Sequence, residues 1–156
     1  MQLRICVAAI VIQNGQLLVI RKRLDDGEAF YSVPTGGQEP GETLVEAVQR
    51  EVLEEIGAEI LVDRLLFVRE YIGKNHENAH TDSHLHLVDH LFHCFLKDPT
   101  PSLQGIAPDP GQEACEWLPL HQLTTHRFYP QALIPYLIEL WQGFPLSAPV
   151  YIGDIN

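Results

Sequence analysis

The chain has 156 residues, 46% of them apolar and 20% charged, the balance of a single globular domain (1–156) rather than a disordered segment. Its 21 acidic residues outnumber 10 basic ones, for a formal charge of −11. That argues against passive binding to duplex nucleic acid or an anionic membrane, which needs a basic face to release counterions.

In chain order, Arg4 precedes an apolar run, residues 5–12. It is too short for a membrane span and has no cleavage site, so it reads as a strand. Its near-continuous β-branched character suggests cover on both faces. Asn14-Gly15 predicts a tight hairpin into residues 16–23. Asp25-Asp26-Gly27 marks a turn, residues 30–33 a short strand ended by Pro34, and residues 35–42 a loop dense in glycine and proline. Thr43, with Glu46 three residues on, forms a capping box, and Gly57 stops the helix it opens at about Ile56. Strands are predicted at residues 65–71, 84–96 and 116–118, with a polar loop at 72–83 and a loop with four prolines at 98–111. A helix over residues 130–142, opened or kinked by Pro135, and an edge strand at 150–152 complete an α+β fold with a mixed sheet between helices. Cys6, Cys94 and Cys115 are odd in number and widely spaced, which suits buried thiols in a reducing cytoplasm.

The informative segment is the helix over residues 43–56. At 3.6 residues per turn, Leu44, Ala47 and Val48 define a buried stripe, and the next turns of that stripe carry Glu51, Glu54 and Glu55. Glu51 stands i, i+3 and i, i+4 from the other two, so three carboxylates crowd one arc and repel. A solvated acidic face is one reading. Set in line with the core face, the cluster instead calls for a cation, and clustered carboxylates are the hard ligands that Mg²⁺ or Mn²⁺ takes. Arg50, four residues before Glu54, can fork onto a carboxylate and fix its rotamer.

From Gly36 to Ala58 these residues resemble the Nudix box, G-x5-E-x7-R-E-U-x-E-E-x-G-U with U bulky and aliphatic. Gly36, Glu42, Arg50, Glu51, Glu54, Glu55 and Gly57 stand at every fixed position. Ala58 departs from the bulky aliphatic residue, and Thr35 stands where many members have glycine. A threonine keeps the carbonyl but disfavours φ > 0. The resemblance implies a Nudix-like α/β/α sandwich and Mg²⁺-dependent hydrolysis of a nucleoside diphosphate linked to another moiety, by water attack at phosphorus. The substrate classes implied are a nucleoside triphosphate, ADP-ribose or another nucleotide sugar, and a dinucleotide polyphosphate.

On that resemblance Glu51, Glu54 and Glu55 are expected as metal ligands, with the Thr35 carbonyl as a further candidate. Arg50 is expected to orient the carboxylates, and Gly36, Gly37, Glu42 and Gly57 to shape the loop and helix end. Family members differ in their base; the candidates here are Glu51 on the helix and Glu113 or Glu116 on a later segment. Arg21, Lys22 and Arg23 at the hairpin exit are candidates for a distal phosphate. His84 and His86, with His90 on one strand face and His93 nearby, are candidates for substrate contact or a transition-metal site. Trp117 and Tyr71 could stack on a base. The expected partners are a nucleotide-type small molecule and, in a homodimer, a second copy of the chain. The rival reading is a non-catalytic Nudix-like domain that senses a nucleotide.

Overall fold

The structure, a computed structural model, describes residues 1–23 and 27–156. Asp25 and Asp26 of the expected turn lie outside the described residues. The strands are β1 (Gln2–Ile10), β2 (Ile12–Gln13), β3 (Gln16–Arg23), β4 (Ala29–Ser32), β5 (Thr35–Gly37), β6 (Ile60–Ile72), β7 (Leu85–Leu96), β8 (Gln112–Pro119), β9 (Phe128–Tyr129) and β10 (Tyr151–Asp154). The helices are α1 (Leu44–Ile56), the single-turn α2 (Ala79–Asp82) and α3 (Ile134–Gln142).

Among the described residues the strands form two mixed sheets rather than one. The first runs β10-β6-β7-β1-β5, with β1 parallel to β7. In the second, β3 pairs with β2, β4 and β8, and β9 lies parallel to β4. The hairpin between β2 and β3 turns at Asn14 and Gly15, both at positive φ (52° and 74°), as a two-residue turn matched to strand twist requires.

Alternation along β1 and β3 explains their unbroken apolar runs. Val7, Ala9, Leu18 and Ile20 face a core closed by Ala47, Val48, Val52 and Ile56 of α1. Ala8, Ile10, Leu17 and Val19 face a second core closed by Ile134 and Leu137 of α3. Each strand therefore buries both faces, and each fully buried Leu or Ile contributes ~1.5–3 kcal/mol. Two helices with sheet between them are the α+β layering expected from the sequence.

Several boundaries move. β6 begins at Ile60, not Leu65, because Asp63 and Leu66 are accommodated as bulges where the register with β7 shifts. Residues 35–37, expected as loop, form β5 against β1, and the Thr35 hydroxyl donates to the Val7 carbonyl at 2.9 Å. β8 extends back to Gln112 along β3, with a register shift opposite Arg21 and Lys22. α3 starts at Ile134 with Pro135 in its first turn, where a missing N–H is harmless. β7 starts at Leu85 and leaves His84 outside the strand. Among the described residues no helix is long and apolar enough to cross a membrane.

Candidate active site

Helix α1 is built as its sequence dictates. Thr43 and Glu46 make reciprocal capping bonds, and Gly57 ends the helix in left-handed backbone at φ 74°. The apolar stripe fixes its rotation, which puts Glu51 and Glu55 on the buried face at 8% and 1% exposure and leaves Glu54 at the rim. Gly36 of β5 lies directly opposite. A Cβ there would fall 1.9 Å from the Glu51 carboxyl carbon, so only glycine lets strand and carboxylate approach this closely. Neither Thr35 nor Gly36 has left-handed backbone, so the threonine in the glycine position imposes no strain.

Arg50 spends all five of its N–H donors on this site. Nε and Nη2 fork onto Glu42 at 3.1 and 2.7 Å, Nη2 also reaches the Gly37 carbonyl at 2.9 Å, and Nη1 reaches Glu51 Oε1 at 2.8 Å and Glu54 Oε2 at 3.3 Å. The fork therefore falls on Glu42 rather than on Glu54, where helix spacing alone would put it. Glu42 also accepts the Glu39 N–H at 2.7 Å, and Arg50 holds its carboxyl below the usual carboxylate range. Loop and helix are thereby locked together.

Each of the three clustered glutamates keeps one oxygen uncommitted. Arg50 occupies Glu51 Oε1 and Glu54 Oε2, and the Thr35 N–H donates to Glu55 Oε2 at 3.0 Å. Glu55 Oε1 is buried without a hydrogen bond and faces the Lys22 ammonium at 3.8 Å. Burial raises the pKa of Glu51, and it pushes Glu55 from an ordinary 4.5 to about 8, against the opposing charge of Lys22. Among the described residues no three His, Cys, Asp or Glu side chains already converge at ligand spacing. Glu55 Oε1, a buried carboxylate oxygen without a hydrogen bond, is nevertheless the kind of hard donor that a divalent cation takes.

That burial has a measurable sign. Between about pH 4.5 and 8 the folded chain holds a proton on Glu55 that the unfolded chain releases. The stability it contributes is complete below 4.5 and is lost as pH rises toward 8. Without metal, the melting temperature is expected to fall from pH 6 to pH 8. Mg²⁺ should restore more at pH 8, because binding displaces that proton. Glu55→Gln should flatten the slope and blunt the Mg²⁺ response, which assigns the slope to Glu55. A metal-free melting temperature that climbs over this interval contradicts the assignment.

The other sequence candidates lie elsewhere. Lys22 alternates with Arg21 and Arg23 along β3, so it faces α1 while they face the opposite side. Arg23 pairs with both oxygens of Glu113, and Arg21 lies 3.5 Å from Glu113 and 4.0 Å from Glu116. Arg23 holds the Glu113 carboxyl below the usual range. The structure thus brings Glu113 to the two arginines and not to Glu51. His86 pairs with Glu70 at 3.3 Å, His90 with the Cys6 carbonyl at 3.2 Å and His93 with Asp63 at 3.0 Å, so the histidines have separate partners rather than a common centre. Trp117 packs against the α1 core. Tyr71 is buried, donates to Asp82 at 2.8 Å and stacks on His76.

Two contacts of the site were not read from the sequence. Lys22 bridges Glu55 and Asp109, the latter at 3.0 Å, and the strand's alternation was a usable signal for it. The loop 98–111 and the start of β8 also cap the last turn of α1. Ala107 N–H donates to the Glu54 carbonyl at 2.9 Å, and Gln112 Nε2 and the Cys115 thiol donate to the Glu55 carbonyl at 2.7 and 3.1 Å. No sequence pattern announces that contact.

A NUDIX domain family model matches residues 2–137. A 66-residue stretch is 36% identical to the human 8-oxo-dGDP phosphatase NUDT18; it covers 42% of this chain and only 20% of that protein. Phosphatase NudJ of Escherichia coli is 25% identical over 97% of this chain and 92% of its own length. A NUDIX hydrolase structure from Nitrosomonas europaea superposes with a TM-score of 0.70, covering 97% of this chain and 98% of that one at 21% identity. The box at every fixed position, the helix and strand that carry it, and a family match over most of the chain agree: the chain belongs to the Nudix hydrolase family.

Proposed function

We propose that the chain hydrolyses a pyrophosphate bond in a nucleoside diphosphate derivative with a divalent cation, Mg²⁺ or Mn²⁺, held by Glu51, Glu54 and Glu55. The observation that carries this reading is the unshared oxygen on each of the three glutamates while Arg50 and the Thr35 N–H hold the others. The Thr35 carbonyl is a fourth candidate ligand. When bound, the cation neutralises the bridging phosphates and lowers the pKa of the attacking water.

The protein's own part is positional. Arg50 fixes the rotamers of Glu51 and Glu54, and Gly36 leaves room for Glu51 to lie against the strand. Glu51, buried and with its pKa raised by desolvation, is also the candidate base; where its Oε2 takes the proton from water, Glu54 and Glu55 are left to hold the cation. Lys22 screens Glu55 and ties it to Asp109.

The test is a hydrolysis screen with Mg²⁺ over nucleoside di- and triphosphates (oxidised ones included), nucleotide sugars and dinucleotide polyphosphates. Cleavage of a phosphoric anhydride in at least one class is expected, lost with excess chelator and restored by Mg²⁺ or Mn²⁺. Full turnover in chelator would return the glutamates to a merely solvated acidic face.

A further inference from the structure

Lys22 approaches the glutamates without bonding to them. Its Nζ stands 3.8 Å from Glu55 Oε1, an oxygen that is buried and accepts no hydrogen bond. The same Nζ donates to Asp109 Oδ2 at 3.0 Å. The Glu55 side chain is 1% exposed and that of Asp109 47%, so water screens the Asp109 pair far more. Electrostatics alone would bring the ammonium onto Glu55. Lys22 and Asp109 act on the Glu55 carboxyl with opposite sign, so both charges are felt there.

The loop 98–111 explains why the ammonium stays on Asp109. The Ala107 N–H is fixed on the Glu54 carbonyl at 2.9 Å, and the Gln112 N–H on the Asp109 carbonyl at 3.0 Å. The Gln112 side chain is in turn bonded to the Glu55 carbonyl at 2.7 Å. A Cβ on Gly57 would fall 1.9 Å from the Gln104 carbonyl, so the loop lies directly on the end of α1. Asp109 is held between these anchors and meets Lys22 from a fixed position. Lys22, by contrast, carries its charge on a flexible four-carbon stem. Its ammonium therefore stands between a fixed acceptor on the loop and a ligand oxygen on the helix. An oxygen that already faces an ammonium takes a second cation only against the charge of the first.

We propose that Lys22 and Asp109 form a positioning pair that sets the affinity of the glutamates for the divalent cation: the Lys22 ammonium competes for Glu55, and Asp109 draws it aside. This rests on the hydrolytic reading above. The sign is the same whether Glu55 starts with or without a proton, because the cation brings two charges where a displaced proton removes one.

The test is Mn²⁺ binding to the full chain without nucleotide, with free Mn²⁺ read by electron paramagnetic resonance. The chains compared are wild type, Lys22→Met, Lys22→Arg, Asp109→Asn and the Lys22→Met/Asp109→Asn double variant. Lys22→Met should bind roughly tenfold tighter, and Lys22→Arg, which keeps the charge, within about threefold of wild type. Asp109→Asn should weaken binding roughly threefold or more, because the ammonium closes on Glu55, and should change it far less in the Lys22→Met background. Three results overturn the proposal: Lys22→Met binds no tighter, Lys22→Arg tightens as much as Lys22→Met, or Asp109→Asn weakens binding equally in both backgrounds. The last would make the charge of Asp109 itself the cause. Parallel hydrolysis assays keep the two readings apart. Metal-dependent cleavage by wild type, with Mn²⁺ affinity unchanged in Lys22→Met, refutes the pair and leaves the hydrolase reading intact.

Discussion

Glu51→Gln is expected to lower kcat by roughly 10²–10⁴-fold, the usual contribution of a general base, and to weaken Mg²⁺ binding as well. The same change at Glu113 is expected to leave kcat within about threefold, far below a general-base effect. The contrast follows from placement. Glu51 is on the rigid buried face of α1 against Gly36, with one oxygen held by Arg50 and the other unshared. Glu113 is bound to Arg23 and Arg21 on the side of β3 away from Lys22 and Glu55. Rates and Mg²⁺ affinities of the two purified variants decide between them. A severe loss in Glu113→Gln with unchanged metal affinity would transfer the base to that residue.

Arg50→Ala is the second large effect. Removing the guanidinium leaves Glu51 without a hydrogen-bond partner on the buried face of α1 and Glu42 with the Glu39 N–H alone, and breaking a buried pair such as that of Glu51 from one side costs about 3–5 kcal/mol. Partial exposure of Arg50 argues for the lower end, about 3 kcal/mol, a fall in melting temperature of roughly 6–12 °C for a chain of this size. Activity should fall too, because Glu51 and Glu54 lose the group that sets their rotamers. Mg²⁺ should return part of the lost stability by replacing the missing positive charge. Arg50→Lys should recover little, since one ammonium cannot reproduce a fork that serves five acceptors. An unfolding free energy from denaturant titration within about 1 kcal/mol of wild type would mean that the carboxylates find other partners.

What could be read from the sequence was whatever local chemistry decides. Asn14-Gly15 requires positive φ, Thr43 with Glu46 closes a capping box, Gly57 ends the helix, and each stands in the structure as expected. The facing of Glu51 and Glu55 followed from the period of Leu44, Ala47 and Val48. Pairing across the chain was not legible. Residues 35–37 become a strand only because β1 offers its edge, and Glu113 meets Arg23 only through the register of β8 on β3. Arg21, Lys22 and Arg23 look alike as a run of charge. Period-two alternation separates Lys22 from its neighbours, and the buried partner that makes it matter lies on α1.

The cap on the last turn of α1 ties surface variation to chemistry. The loop 98–111 looks free to change, rich in proline and remote in sequence from the glutamates. Yet Ala107 serves the main chain of Glu54, and a Cβ on Gly105 would fall 2.5 Å or less from the carbonyls of Glu54 and Glu55. A foreign loop grafted here to alter selectivity must still bring a small residue and a donor to those two carbonyls. Otherwise the helix end frays at Glu54 and Glu55. A loop exchange that respects only length is therefore expected to disturb the end of α1 that carries Glu54 and Glu55.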